Sequence, residues 1–99
     1  MKIYIAGPIT GVAGYKEHFE ATEQAVLKAG HEVINPAKIL AEMPSSTTHK
    51  QYMDVCYALL AQADGVLFLE GWEHSMGAEM EFKYATRMKK IICFEGGAF

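Results

Sequence analysis

The sequence predicts an α/β domain of three layers, with helices on both faces of a four-stranded parallel sheet in the strand order 2-1-3-4. Three observations carry that expectation. Short apolar runs alternate with stretches of helical periodicity, and each apolar run stops at turn-forming residues. The chain of 99 residues leaves room for a single domain over residues 1–99. Its composition, 51% hydrophobic and 21% charged, lies near the globular average and disfavours disorder or a coiled coil.

Ile3-Tyr4-Ile5-Ala6 reads as a buried strand stopped by Gly7-Pro8. From Tyr15 to Ala29 the residues Tyr15, Phe19, Thr22, Val26 and Ala29 recur at steps of four and three, one helix face closed by Gly30. His31 to Ile34 makes a second strand, ended by Asn35-Pro36. Residues 37–47 lack a period and contain Pro44 and a Ser/Thr cluster, so a loop with at most one helical turn is expected. Thr48 to Gln51 fits a capping box, and Tyr52, Cys56, Leu59, Leu60 and Ala63 carry the helix to about Gln62. Gly65 to Leu69 is apolar on both faces and belongs at the sheet centre. A further helix is expected from Ser75 to Met88, then a strand from Ile91 to Phe94 and a tail from Glu95 to Phe99.

With right-handed crossovers this order builds a Rossmann/flavodoxin-like sheet, whose ligands bind beyond the carboxyl ends of the strands. Residues able to do chemistry are then Gly7 to Gly14, Asn35 onward, the start of the second long helix, and Glu70 to Glu81. Asp64 precedes its strand and belongs at the opposite edge, in a turn.

Charge and composition narrow the partners. Twelve acidic residues against nine basic ones give a net charge of −3, without the basic footprint that nucleic acid requires. No apolar run approaches the ~20 residues of a membrane span, and the start MKIYIAGP is too short and polar for a signal peptide. Cys56 and Cys93 each fall in an apolar segment without CxxC spacing and read as buried free thiols, which places the protein in the cytoplasm. His18, His31, His49 and His74 show no metal-ligand spacing. The first three read as solvated, and neither a metal nor another cofactor is implied.

The helix from Ser75 is the most informative segment. At about 100° per residue, Glu79, Lys83, Thr86 and Arg87 share one side. Ala78, Phe82, Tyr84, Ala85 and Met88 share the other, with Glu81 in the middle of it. Glu79 has an ordinary partner in Lys83, four residues on. Glu81 has none, and small neighbours (Gly77, Ala78, Ala85) leave space above it. A carboxylate on a buried face costs several kcal/mol unless hydrogen-bonded, and its pKa rises. It is either held by a backbone or tyrosine hydrogen bond, tolerated at an oligomer seam, or a functional carboxylate in a cleft.

Two loops are placed to face it. Gly7-Pro8-Ile9-Thr10-Gly11 is either a tight strand-to-helix turn or a glycine-rich turn whose N–H groups approach a ligand. In Gly71 to Gly77, Ser75 stands as N-cap, with N–H groups at Gly77 and Ala78 able to hold an anion or a sugar hydroxyl. Trp72 is placed to stack on a planar base or to pack over the sheet edge.

The opening MKIYIAGPITG, with Gly71-Trp72 and Ser75-Met76-Gly77-Ala78-Glu79-Met80-Glu81 followed by Ala85, resembles the nucleoside 2-deoxyribosyltransferase superfamily. The nearest branch is the small DUF4406 proteins of phages and bacteria. The resemblance runs to about Phe94. It implies that Glu81 is a nucleophile that attacks C1′ of a 2-deoxyribosyl group and displaces the base, in the manner of a retaining glycosidase. It also implies that Tyr4 orients that carboxylate.

Three departures stand out. An aspartate that the superfamily carries on the helix before the third strand is Cys56 here. Asp54 is the nearest acid, although two residues turn about 200° around a helix. An arginine of the relatives that hydrolyse deoxynucleotide monophosphates is Thr10 here, which leans toward a nucleoside, or a phosphate held by backbone N–H groups. The superfamily often completes its site from a neighbouring subunit, so a homo-oligomer, dimer or larger, is expected, but the Gly96-Gly97-Ala98-Phe99 tail that is placed to cover a partner has no polar side chain to donate.

The leading expectation is an N-glycosidic-bond enzyme acting on a nucleoside or nucleotide. Glu81, Tyr4 and Asp54 are its catalytic candidates. Gly7, Pro8, Ile9, Thr10, Gly11, Trp72, Ser75 and Gly77 are the substrate-binding ones. Two others compete with it: a non-catalytic nucleotide-binding or sensing module, and an interaction protein with a vestigial pocket.

Overall fold

A computed structural model describes residues 1–97. In chain order the elements are β1 (Lys2–Ala6), α1 (Tyr15–Lys28), β2 (Glu32–Ile34), α2 (Pro36–Ile39), α3 (His49–Ala61), β3 (Gly65–Phe68), α4 (Met76–Arg87) and β4 (Ile91–Phe94). Two 3-10 turns, Leu40–Glu42 and Trp72–His74, complete them. The four strands form one parallel sheet in the order β2-β1-β3-β4, as the alternation of elements predicts.

Strand alternation divides the core. On one face Ile3, Ile5, Leu67, Leu69 and Cys93 pack with Phe19 and Val26 of α1. On the other, Tyr4, Ala6, Val66 and Phe68 pack with Cys56 and Leu60 of α3 and Ala85 of α4. Because β1 and β3 are central, they are apolar on both faces, and β3 is buried throughout.

The helix ends follow local chemistry. Thr48 and Gln51 form the expected capping box at the start of α3, each side chain meeting the other's N–H. The Ser75 hydroxyl accepts from the Ala78 N–H at 3.2 Å and starts α4. The region read as a loop contains α2, because Asn35 caps it by accepting from the Lys38 N–H at 3.2 Å and Pro36 presets its first residue. At four residues, α2 is too short to show a hydrophobic period. Met88, placed on the apolar side of its helix, is exposed because the helix has ended there.

No helix of the described residues is long and apolar enough to cross a membrane. Cys56 and Cys93 are buried free thiols. Of the expected tail, Ala98 and Phe99 lie outside the described residues.

Candidate active site

Tyr4 lies mid-strand in β1 and points away from α1, so its ring is fully buried between β1 and the α3–α4 pair. Its hydroxyl donates to Oε2 of Glu81. Glu81 lies about one and a half turns into α4, flanked by Ala78 and Ala85 on the buried stripe, and is only 6% exposed. Cys56 reaches the same layer from α3, packed in one cluster with Tyr4 and close enough to Glu81 to feel its charge. A tyrosine, a thiol and a carboxylate therefore share one buried polar cluster in an otherwise apolar layer.

Burial sets the protonation of all three. It raises the Glu81 carboxyl from 4.5 to about 7, against the Tyr4 hydrogen bond, which favours the ionised form. Burial and the nearby Glu81 charge hold the Tyr4 hydroxyl well above its ordinary value, so it stays a donor. The Cys56 thiol is pushed up to about 11, again mainly by burial, and remains neutral. The cluster thus has one group that changes charge near neutral pH, Glu81.

The two expected loops do meet above the sheet. A Cβ built on Gly71, in a left-handed conformation with φ of 88°, would lie 3.7 Å from Pro8 Cγ. Gly7 is required by close packing: a Cβ there would stand 2.8 Å from Leu69 Cβ. That favours the tight-turn role for Gly7. Ile9 turns its side chain into the α1-side core, whereas Thr10 and Gly11 are exposed at the rim. At the start of α4, Ser75 already occupies the Ala78 N–H. The Met76 and Gly77 amides are then the ones with no partner among the described residues. A Cβ on Gly77 would come within 3.3 Å of Met53 Sδ, so glycine lets α4 approach α3 here.

Two other expected residues sit elsewhere. Asp54 is on the outer side of α3, its side chain 59% exposed and paired with Lys50 at 3.0 Å. The 200° offset from Cys56 decides this, and Asp54 instead lines a shallow cleft with Met43, Pro44, Ser46 and Thr47. Trp72 packs over the sheet edge, stacked on Phe82 at 4.8 Å and beside Phe94 at 5.8 Å between centroids.

Two histidines read as solvated have neighbours of consequence. The His49 ring lies against Gly77, 3.6 Å from where a Cβ would be, at the paired N-termini of α3 and α4. His18 meets Glu95 at 2.6 Å, and the other oxygen of Glu95 accepts from the Glu70 N–H at 2.7 Å. Neither contact leaves a local signal, since each depends on how separate elements pack.

The chain matches the family model described as a domain of unknown function, DUF4406, over residues 1–94, and it belongs to that family. A search of curated proteins found no match. Among solved structures it is similar to the 2-deoxyribosyltransferase of Bacillus psychrosaccharolyticus, with a TM-score of 0.75 at 18% identity, covering 100% of this chain and 77% of that one. It is also similar to the CMP N-glycosidase of Clostridium botulinum, with a TM-score of 0.61 at 18% identity, covering 95% and 70%. The fold is thus one this chain shares with both of those structures.

Proposed function

We propose that the protein cleaves or transfers N-glycosidic bonds of nucleosides or nucleotides, with Glu81 as nucleophile. The observation that carries this reading is the hydrogen bond from Tyr4 to a carboxylate buried in the apolar layer between β1 and the α3–α4 pair. Membership of a fold shared by a 2-deoxyribosyltransferase and a CMP N-glycosidase supports it.

In the ionised form, one Glu81 oxygen attacks C1′ while the C1′–N bond breaks and its electron pair leaves with the base, which takes a proton from solvent. The resulting glycosyl ester is opened at C1′ by water or a second base, which loses a proton and frees the carboxylate. Tyr4 holds the second carboxylate oxygen in place, and a low-dielectric surround strengthens the interaction with the oxocarbenium-like charge. The Gly7–Gly11 turn with Ser75 and the Gly77 N–H would hold sugar or phosphate. With Glu81 only 6% exposed, substrate entry requires side chains around it to move aside.

A second reading, a nucleotide-binding module without turnover, is favoured by the small exposure of Glu81 and by Cys56, which supplies no second carboxylate. Incubation with deoxynucleosides and nucleoside monophosphates, with and without a second free base, followed by chromatography, separates the two. Base release or exchange that Glu81→Ala abolishes while the fold persists is the expected result. Activity surviving that substitution overturns the nucleophile. Thermal stabilisation by a nucleotide without turnover establishes the binding module, and no stabilisation by any of them points to an interaction protein.

A further inference from the structure

The Glu81 carboxylate has two oxygens and a single hydrogen bond. Tyr4 donates to Oε2, and Oε1 has no hydrogen-bond partner among the described residues. Every fully buried side-chain oxygen or nitrogen among those residues does have one. Oε1 is therefore not sealed, and a narrow gap to solvent ends on the oxygen that would attack C1′.

Helix geometry places that gap. Side chains of an α-helix lean toward its N-terminus, so Glu81 leans toward Gly77 and Ala78, one turn back. This end of α4 follows β3 and lies beyond the carboxyl ends of the strands. Gly77 has no side chain, so the cover over Glu81 on this side comes from α3. There His49, Met53 and Cys56 recur at steps of four and three and share one stripe. A Cβ on Gly77 would lie 3.3 Å from Met53 Sδ and 3.6 Å from His49 Nε2. The stripe runs inward, from exposed His49 at the rim, through Met53 over Gly77, to Cys56 near Glu81.

Met53 differs from the core around it. It is only 5% exposed, yet it belongs to none of the apolar clusters of described residues that make up the two layers. Its side chain is unbranched and adaptable, so the thioether can swing away without any movement of the backbone. We propose that Met53 is the gate of the Glu81 site, its thioether closing the gap over Gly77 and turning aside to admit the sugar. What passes the gate rests on the reading of Glu81 as nucleophile, whereas the gate itself is measured without turnover.

Cys56, one turn further in than Met53, is the reporter. Cys93 is the control, a second buried free thiol on the opposite face of the sheet. The intact chain is labelled with methyl methanethiosulfonate for timed intervals, and each cysteine is read by mass spectrometry. Met53→Ala is expected to speed labelling of Cys56 roughly tenfold or more and to leave Cys93 at the parent rate. Met53→Val also lacks the sulfur and its methyl, and gives the same ordering should the alanine variant not fold. An unchanged Cys56 rate overturns the gate, since removing the thioether then opens nothing. Equal acceleration at both cysteines overturns it too, because the fold as a whole has loosened. A selective rise at Cys56, with no base released from any deoxynucleoside, upholds the gate and tells against the enzyme reading alone.

Discussion

The two faces of the sheet are built from alternate residues of the same strands, yet they differ in kind. Toward α1, Ile3, Ile5, Leu67 and Leu69 meet Phe19 and Val26, with no polar side chain from the sheet. Toward α3 and α4, the tyrosine of β1 is joined by a thiol and a carboxylate. The first arrangement can only stabilise. The second gives up stability to keep an ionisable oxygen dry, which folding alone does not require. A substitution on each face therefore distinguishes scaffold from site.

The largest effect is expected on the apolar face. Phe19→Ala removes a fully buried ring and lowers stability by about 3–5 kcal/mol, read from the urea midpoint, while whatever activity the folded fraction has remains. Glu81→Gln acts the other way and depends on pH. The folded chain holds the Glu81 proton more tightly than the unfolded chain does. Its contribution is therefore most favourable below the unfolded value of 4.5 and declines as pH rises to about 7. At pH 8 the substitution is expected to stabilise the fold by up to about 3 kcal/mol and abolish turnover, and near pH 4 the stability difference should vanish. The same sign makes activity of the native protein rise with pH and level off above about 7. Melting curves at both pH values would break the comparison if Glu81→Gln were destabilising at pH 8.

The smallest effect belongs to Asp54→Asn. An exposed i, i+4 pair contributes about 0.3–0.5 kcal/mol, so melting temperature and kcat/KM should stay close to those of the parent. A large loss of kcat with KM intact would restore Asp54 to the chemistry.

Much of this architecture was legible in the sequence, for a physical reason. Each buried strand is a short apolar run closed by Gly-Pro, Asn-Pro or a glycine, so order and topology follow from local patterning. Glu81 was legible because an acid on an apolar helix stripe contradicts its surroundings. Its partner was not legible in that way, since nothing in the periodicity of Ile3 to Ala6 distinguishes a packing tyrosine from one that donates to a residue 77 positions away. The resemblance supplied Tyr4. Proximity along the chain drew attention to Asp54, whereas helix geometry sends it outward and brings Cys56 in. Trp72 could have served a ligand or the core, and only the positions of Phe82 and Phe94 decide which.

The bare backbone of Gly7 lets Leu69 press against the exit of β1. The spacing between the two turns above is consequently governed by one leucine rather than by either turn. A single methyl introduced at position 7 would act as a wedge on the α1 side of the sheet, pressing on Leu69 where the two central strands end, on the face opposite the polar cluster.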